Sequence, residues 1–201
     1  ANTTINYIRT WEPSMPSSDP AAVIASTDVN QVRQTTQYFD GLGRPLQTVS
    51  KGITPGAKDL VVPVVYDAYG REQYKYLPYR PTTGNLNDGK FKSDPFNDQK
   101  KFYQTDSLVP GAKGEAIYYG QTGYEVSPLN RVVKVYAPGN TWARNDPTGT
   151  ERGGNKFVEQ QYLVNAISDS VHIWDMPANG NIIPTSSASR IYGAGQLYEN
   201  V

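Results

Sequence analysis

Hydrophobic and polar residues alternate along most of this chain with the period of two that half-buried strands require. Near the start, Ile5, Tyr7 and Arg9 alternate with Asn6, Ile8 and Thr10, which predicts a short strand over INYIRTW. The following EPSMPSSDPAA carries prolines at 13, 16 and 20 and reads as a loop, because proline cannot join a regular ladder. A strand-like pattern resumes from Val29 to Phe39, and LQTVSKG makes the return strand as far as Gly52. Val61, Val62, Val64, Val65 and Tyr66 form a β-branched run. EQYKYLPY then places Tyr74 and Tyr76 on one face and Gln73, Lys75 and Leu77 on the other. A polar, glycine-rich loop from Arg80 to Lys92 closes that unit. The period changes once: Asp94 as N-cap, Pro95 at the first helical position and Phe96, Phe102 and Tyr103 beyond predict one short helix near 95–103. EAIYYG, YEVS, RVVKVYAPG, KFVEQQYLV, SVHIWDM and SRIYGAGQLYENV read as strands, the last as a hairpin across Gly193 and Gly195. Residues 1–30 are thus an N-terminal strand with a Pro/Ser-rich loop, and residues 31–201 one β domain of twisted antiparallel hairpins.

Two of the turns are spelled almost alike. YFDGLGR ends at Arg44 and VYDAYGR at Arg71, each with an aromatic residue leading into Asp-x-x-Gly-Arg. In a type I turn followed by a bulge, the opening Asp accepts bonds from turn amides, and the Gly takes the positive φ at little steric cost. Asp40 and Gly43, then Asp67 and Gly70, fit those two roles, while Arg44 and Arg71 begin the return strands. There the guanidinium can reach a carboxylate or stack on a Tyr. A third copy is written in other letters at Ser127-Pro128-Leu129-Asn130-Arg131. Ser127 replaces the opener, Asn130 supplies the positive φ, and Arg131 falls where Arg44 and Arg71 fall. A requirement that survives a change of letters is one of geometry, so these Asp and Arg residues are read as turn builders.

Composition strengthens the all-β assignment. Among 201 residues there are 18 Gly, 15 Pro and 15 Tyr against 5 Phe and 2 Met, a mixture that suits hairpins and half-wet strands. The 19 basic and 19 acidic side chains cancel and form no basic run, which gives no footprint for nucleic acid. No apolar run approaches the roughly 18 residues of a spanning helix. Cysteine is absent, so disulfides, thiolate metal sites and cysteine nucleophiles are excluded together.

The chemistry of catalysis has little to build on. His172 is the single histidine, and it reads as a packed or surface residue on the face shared with Trp174. Phosphate-binding, dinucleotide and nucleophile-elbow motifs are absent from the sequence. The loops NLNDG at 85–89 and RNDPTGTE at 144–151 offer oxygen ligands without the spacing of a calcium loop, and read as solvated turns. The chain is therefore expected to be no enzyme, with no cofactor and no metal. A rival reading makes Trp142 and Trp174 stacking platforms of a carbohydrate-binding surface module. A glycan hydrolase using two carboxylates stands a distant third.

The segments NYIRTW, YFDGLGRPLQTVS, YDAYGREQYKYLPY, SPLNRVVKVYAPGNTW and RIYGAGQLYENV, in that order, are similar to the N-terminal domain of unknown function that precedes the YD repeats in Rhs proteins of Bacteroidota. The resemblance extends from about Asn6 to Val201. It implies a YD-repeat-type sheet at the start of a hollow shell in a large secreted or cell-surface polypeptide, often one enclosing a toxin. On that implication the chain is a fragment whose signal peptide has been removed, and its partner is the remainder of its own polypeptide or a YD-repeat shell. Secretion machinery would be a further partner. The family assigns no catalytic residue to this domain, and the third repeat departs from the motif by lacking Asp and Gly.

Overall fold

Strand order follows chain order through the main sheet of this protein, described from a computed structural model over residues 5–145, 156–175, 183–184 and 190–200. At 174–175, 183–184 and 199–200 only the backbone is described. The sheet is antiparallel and runs β1 (Asn6–Pro13), β2 (Val32–Phe39), β3 (Pro45–Thr54), β4 (Lys58–Val65), β5 (Tyr74–Tyr76), β6 (Tyr119–Tyr124), β7 (Val132–Tyr136) and β8 (Val158–Glu159). Tertiary contacts divide the chain into two compact units, residues 1–123 with 135–157, and residues 124–134 with 158–201. The chain is mostly β. Among the described residues no helix is long and apolar enough to cross a membrane.

In the first unit the alternation of residues decides which face is covered. Tyr38 lies opposite Gln47, Thr36 opposite Val49, and Val49 opposite Val61, so Tyr38, Val49 and Val61 share one face of β2, β3 and β4. All three are fully buried, as is Tyr79; Phe102 is buried with them, and Ile5, Phe91, Tyr103 and Val109 pack around the group. Burial of such side chains contributes about 1.5–3 kcal/mol each. Phe102 comes from α2 (Pro95–Thr105), which begins at Asp94-Pro95 as the sequence predicts and runs two residues beyond Tyr103. The Asp94 side chain caps no helix amide; it accepts instead from the Asn97 side-chain amide at 3.0 Å.

The expected loop after the first strand contains a second helix, α1 (Pro20–Ala25). Asp19 Oδ1 accepts the amides of Ala21 at 2.9 Å and Ala22 at 3.2 Å, and Pro20 occupies the first turn where its missing N–H costs nothing. Asp19-Pro20 is the same start signal as Asp94-Pro95. Pro63 also sits inside a strand. Val61 exchanges both backbone bonds with Tyr79 rather than with β3, so the like-facing Pro63 turns its missing N–H away from β3 as well.

The second unit contains shorter strands. β9 (Tyr162–Val164) pairs with β12 (Tyr198–Asn200), and β10 (Trp174–Asp175) pairs with β11 (Ile183–Pro184). The Gly193–Gly195 turn is therefore not the tip of a hairpin. Ile191 on one side bridges His172, while β12 on the other side pairs with β9. Buried Asn165 ties this turn, with Nδ2 donating to Gly193 O at 2.9 Å and Oδ1 accepting from Leu197 N at 2.8 Å.

Candidate functional site

The first two Asp-x-x-Gly-Arg tips have nearly superimposable bonding. Asp40 Oδ1 accepts the amides of Leu42 and Arg44, both at 2.9 Å, and Asp40 Oδ2 lies 2.7 Å from both Nε and Nη2 of Arg44. Asp67 Oδ1 likewise accepts the amides of Tyr69 and Arg71 at 2.9 Å, and its Oδ2 accepts Arg71 Nε at 2.8 Å. Backbone bonds from Gly43 N to Asp40 O and from Gly70 N to Asp67 O close the turns at 3.1 and 2.9 Å. Both glycines have φ of 77°, the left-handed region that a β-carbon disfavours.

The arginines extend each tip sideways. The guanidinium carbon of Arg44 stands 4.4 Å from the ring centre of Tyr66, the residue that leads into Asp67. Arg44 Nη1 also lies where a β-carbon on Gly70 would approach to 3.0 Å. The first tip thus rests on the second, and Gly70 is required both by φ and by the space Arg44 occupies. Arg71 stacks over Tyr69 at 5.0 Å. Such cation–π contacts contribute about 0.5–1 kcal/mol at exposed sites.

The third tip keeps the geometry and changes the source of the carboxylate. Asn130 has φ of 53° and its N–H closes on Ser127 O at 3.1 Å. Ser127 Oγ accepts from Leu129 N at 3.2 Å, as the opening Asp does elsewhere, and donates to Glu125 Oε1 at 2.7 Å. Glu125, outside the motif, receives the Arg131 amide at 3.2 Å and forks with its guanidinium at 2.9 Å through both oxygens. The Glu125 N–H donates to Arg131 O at 3.0 Å, just as Asp40 donates to Arg44 O and Asp67 to Arg71 O at 2.9 Å. The hairpin is closed two residues earlier, and the longer Glu side chain spans the added loop. Arg131 stacks on Tyr162 at 4.4 Å.

The electrostatics follow from these bonds. The Arg44 amide above all holds the Asp40 carboxyl below its ordinary pKa, and the Arg71 amide does the same for Asp67. Fork bonds from Arg131, then the Ser127 hydroxyl, bring Glu125 down to about 2. Arg131 is raised in turn, chiefly by its bonds to Glu125. Carboxylates bonded in this way stay ionised and orient backbone; they are poorly placed to donate a proton near neutral pH.

A second polar constellation lies under the 80–92 loop. Asp59 is fully buried on β4, and its oxygens accept Gly52 N and Gly89 N, each at 3.0 Å. Lys92 Nζ, also buried, donates to Asp59 Oδ2 at 2.6 Å, to the Asn85 carbonyl at 2.5 Å and to Asp88 Oδ1 at 3.2 Å. Buried Gln47 pairs its side-chain amide with the Lys92 backbone, accepting at 2.8 Å and donating at 3.2 Å. The NLNDG oxygens expected to face solvent thus converge in part on an ammonium. The spacing of 33 residues between Asp59 and Lys92 left no local signature. Among the described residues no group of three or more acidic or His side chains is arranged to hold a metal ion.

Trp142 is about half exposed, with Lys156 Nζ 4.8 Å from the centre of its ring. The Trp174 side chain lies outside the described residues, as do residues 146–151 of the RNDPTGTE loop. His172 is exposed and bridges Ile191 through its backbone.

No curated protein and no solved structure matches the chain. A family profile does match, over residues 9–156, which takes in the first two tips, the buried Asp59–Lys92 pair and the whole third tip. With well over half of its length inside that match, the chain belongs to the family described as Domain of unknown function (DUF6443).

Proposed function

We propose that this domain is a non-catalytic structural module at the start of a secreted or cell-surface Rhs-type shell protein, in which it helps enclose or deliver a toxin. The observation that carries the reading is the repeated tip. Each carboxylate is bonded to amides of its own hairpin and to an Arg, and Arg44 and Arg131 stack on a Tyr outside their own turns. That unit can be repeated along a sheet without a change of geometry, which a long shell of hairpins requires. Its partners are the remainder of the same polypeptide and, during export, secretion machinery. The gene sequence beyond Val201 tests the proposal. Many further copies of Tyr-Asp-x-x-Gly-Arg are expected there, and a reading frame that stops near Val201 overturns it.

A second reading, a carbohydrate-binding surface module, is favoured by the exposed ring of Trp142. Calorimetry against a broad glycan set, with Trp142→Ala as the control, decides it: heat that disappears in the variant supports it, and silence across the set removes it.

A further inference from the structure

Strand β1 is one edge of the main sheet, and among the described residues it pairs only with β2. The Ser14 N–H donates to Gln31 O at 2.7 Å, and residues 14 and 31 continue the β1–β2 register. Hydrogen-bonded pairs alternate along an antiparallel ladder. Asn6, Ile8, Thr10 and Glu12 therefore turn their backbone groups toward β2, while Tyr7, Arg9 and Trp11 turn theirs outward. Pro13, with no N–H, ends the free edge.

The side chains of those same three residues form a group of their own. The Arg9 guanidinium carbon lies 5.3 Å from the ring centre of Tyr7 and 6.0 Å from that of Trp11. Arg9 Nε donates to Thr36 Oγ1 at 2.9 Å, and the guanidinium also acts on the Tyr38 phenol, partly offsetting the rise that burial causes there. Arg9 Nη2 and Trp11 Nε1 are both shut off from solvent with no acceptor. Two buried donors on one strand, each without a partner, are an unmet demand for acceptor oxygens. Tyr7 is 44% exposed, so its ring has room to move off the guanidinium.

We propose that β1 is a strand-addition edge that takes an extended polypeptide segment bearing an Asp or Glu, whose carboxylate reaches Arg9 Nη2 and Trp11 Nε1. Three outward N–H and C=O groups at strand spacing call for a backbone partner, which a free anion does not supply. Charge argues against a second copy docking β1 on β1. Tyr7, Arg9 and Trp11 share one face of the strand with no acid among them, and Glu12 is on the other face. Such a pairing would bring guanidinium toward guanidinium. The inference does not rest on the shell reading, since the gene sequence tests that one and peptide binding tests this one.

The probe is a fluorescein-labelled nine-residue peptide of alternating Thr and Val with a central Glu, set against its Gln counterpart in anisotropy titrations at low salt. The Glu peptide is expected to bind about tenfold more tightly. N-methylating one alternate set of its residues should abolish binding and methylating the other set should not. Arg9→Gln should bring the two peptides to within about twofold of each other, with circular dichroism unchanged. Tyr7→Pro removes an outward N–H while leaving the β1–β2 ladder intact, and should block both peptides. Equal affinity for the two peptides, a preference that survives Arg9→Gln, or no binding at about 1 mM overturns the proposal. So does a dimer in sedimentation that Tyr7→Pro dissolves, which would assign the edge to a second copy.

Discussion

The tips at Asp40–Arg44 and Asp67–Arg71 and the tip at Ser127–Arg131 solve one problem in two ways. In the first two, the carboxylate is the first letter of the turn and reaches the amides two and four residues on. In the third, Ser127 keeps only the nearer of those bonds, and Glu125, the residue just after β6, takes the Arg131 amide and guanidinium. What is held constant is a carboxylate facing an Arg across the closing pair of a hairpin, not an Asp at a set place in a motif. The difference teaches that the turn is defined by where charge and positive φ fall in space, and that several spellings satisfy it.

The comparison breaks most readily at the left-handed residue. Gly43→Val is expected to lower stability by about 1–3 kcal/mol through backbone strain, and Gly70→Val by more, because its side chain also meets Arg44 Nη1. Denaturant unfolding with an unchanged m-value would show this. Next in size, Glu125→Gln should lower the thermal midpoint, and adding Ser127→Asp should recover most of the loss by rebuilding the Asp spelling. Ser127→Asp alone should give no gain, since two carboxylates would then crowd Arg131. A midpoint that ignores the pairing would mean that the third tip is not built as the other two are.

Acid sharpens the same point on a smaller scale. Glu125 is depressed in the folded chain, so its contribution is present above its ordinary value of 4.5 and is lost as pH falls through about 2. The stability gap between the native chain and Glu125→Gln should therefore be full at neutral pH and close between those limits. A gap that is constant down to pH 2 contradicts the assignment. Smallest of all, Asn130→Gly should lie within about 1 kcal/mol of the native chain, because Gly accepts the same φ freely.

The turns were legible because positive φ and amide capping restrict the residue types that can fill them, so Gly43, Gly70 and Asn130 announce themselves. Glu125 was not, since its role depends on a side chain reaching in from outside the repeated letters. The start of α2 was legible from Asp94-Pro95, and the same two letters at 19–20 marked α1 inside what proline content alone presents as a loop. The pairing of β12 with β9 could not be read from Gly193 and Gly195, because glycine marks a turn without saying which strand lies beside it. Asp59 and Lys92 meet through the fold, and neither carries a local sign of burial. The edge role of β1 needed the register, which decides that Tyr7, Arg9 and Trp11 are the residues facing outward.

Lys92 has one more consequence. Its ammonium occupies a nest of oxygens from Asp59, Asn85 and Asp88, and it is fastened to the chain by four methylenes. A tethered cation has a fixed effective concentration that no dilution lowers, so a chelator has nothing to remove. The 80–92 loop should stay closed in EDTA and in ion-poor medium alike, and its closure is set when the chain folds, not by the ions it later meets.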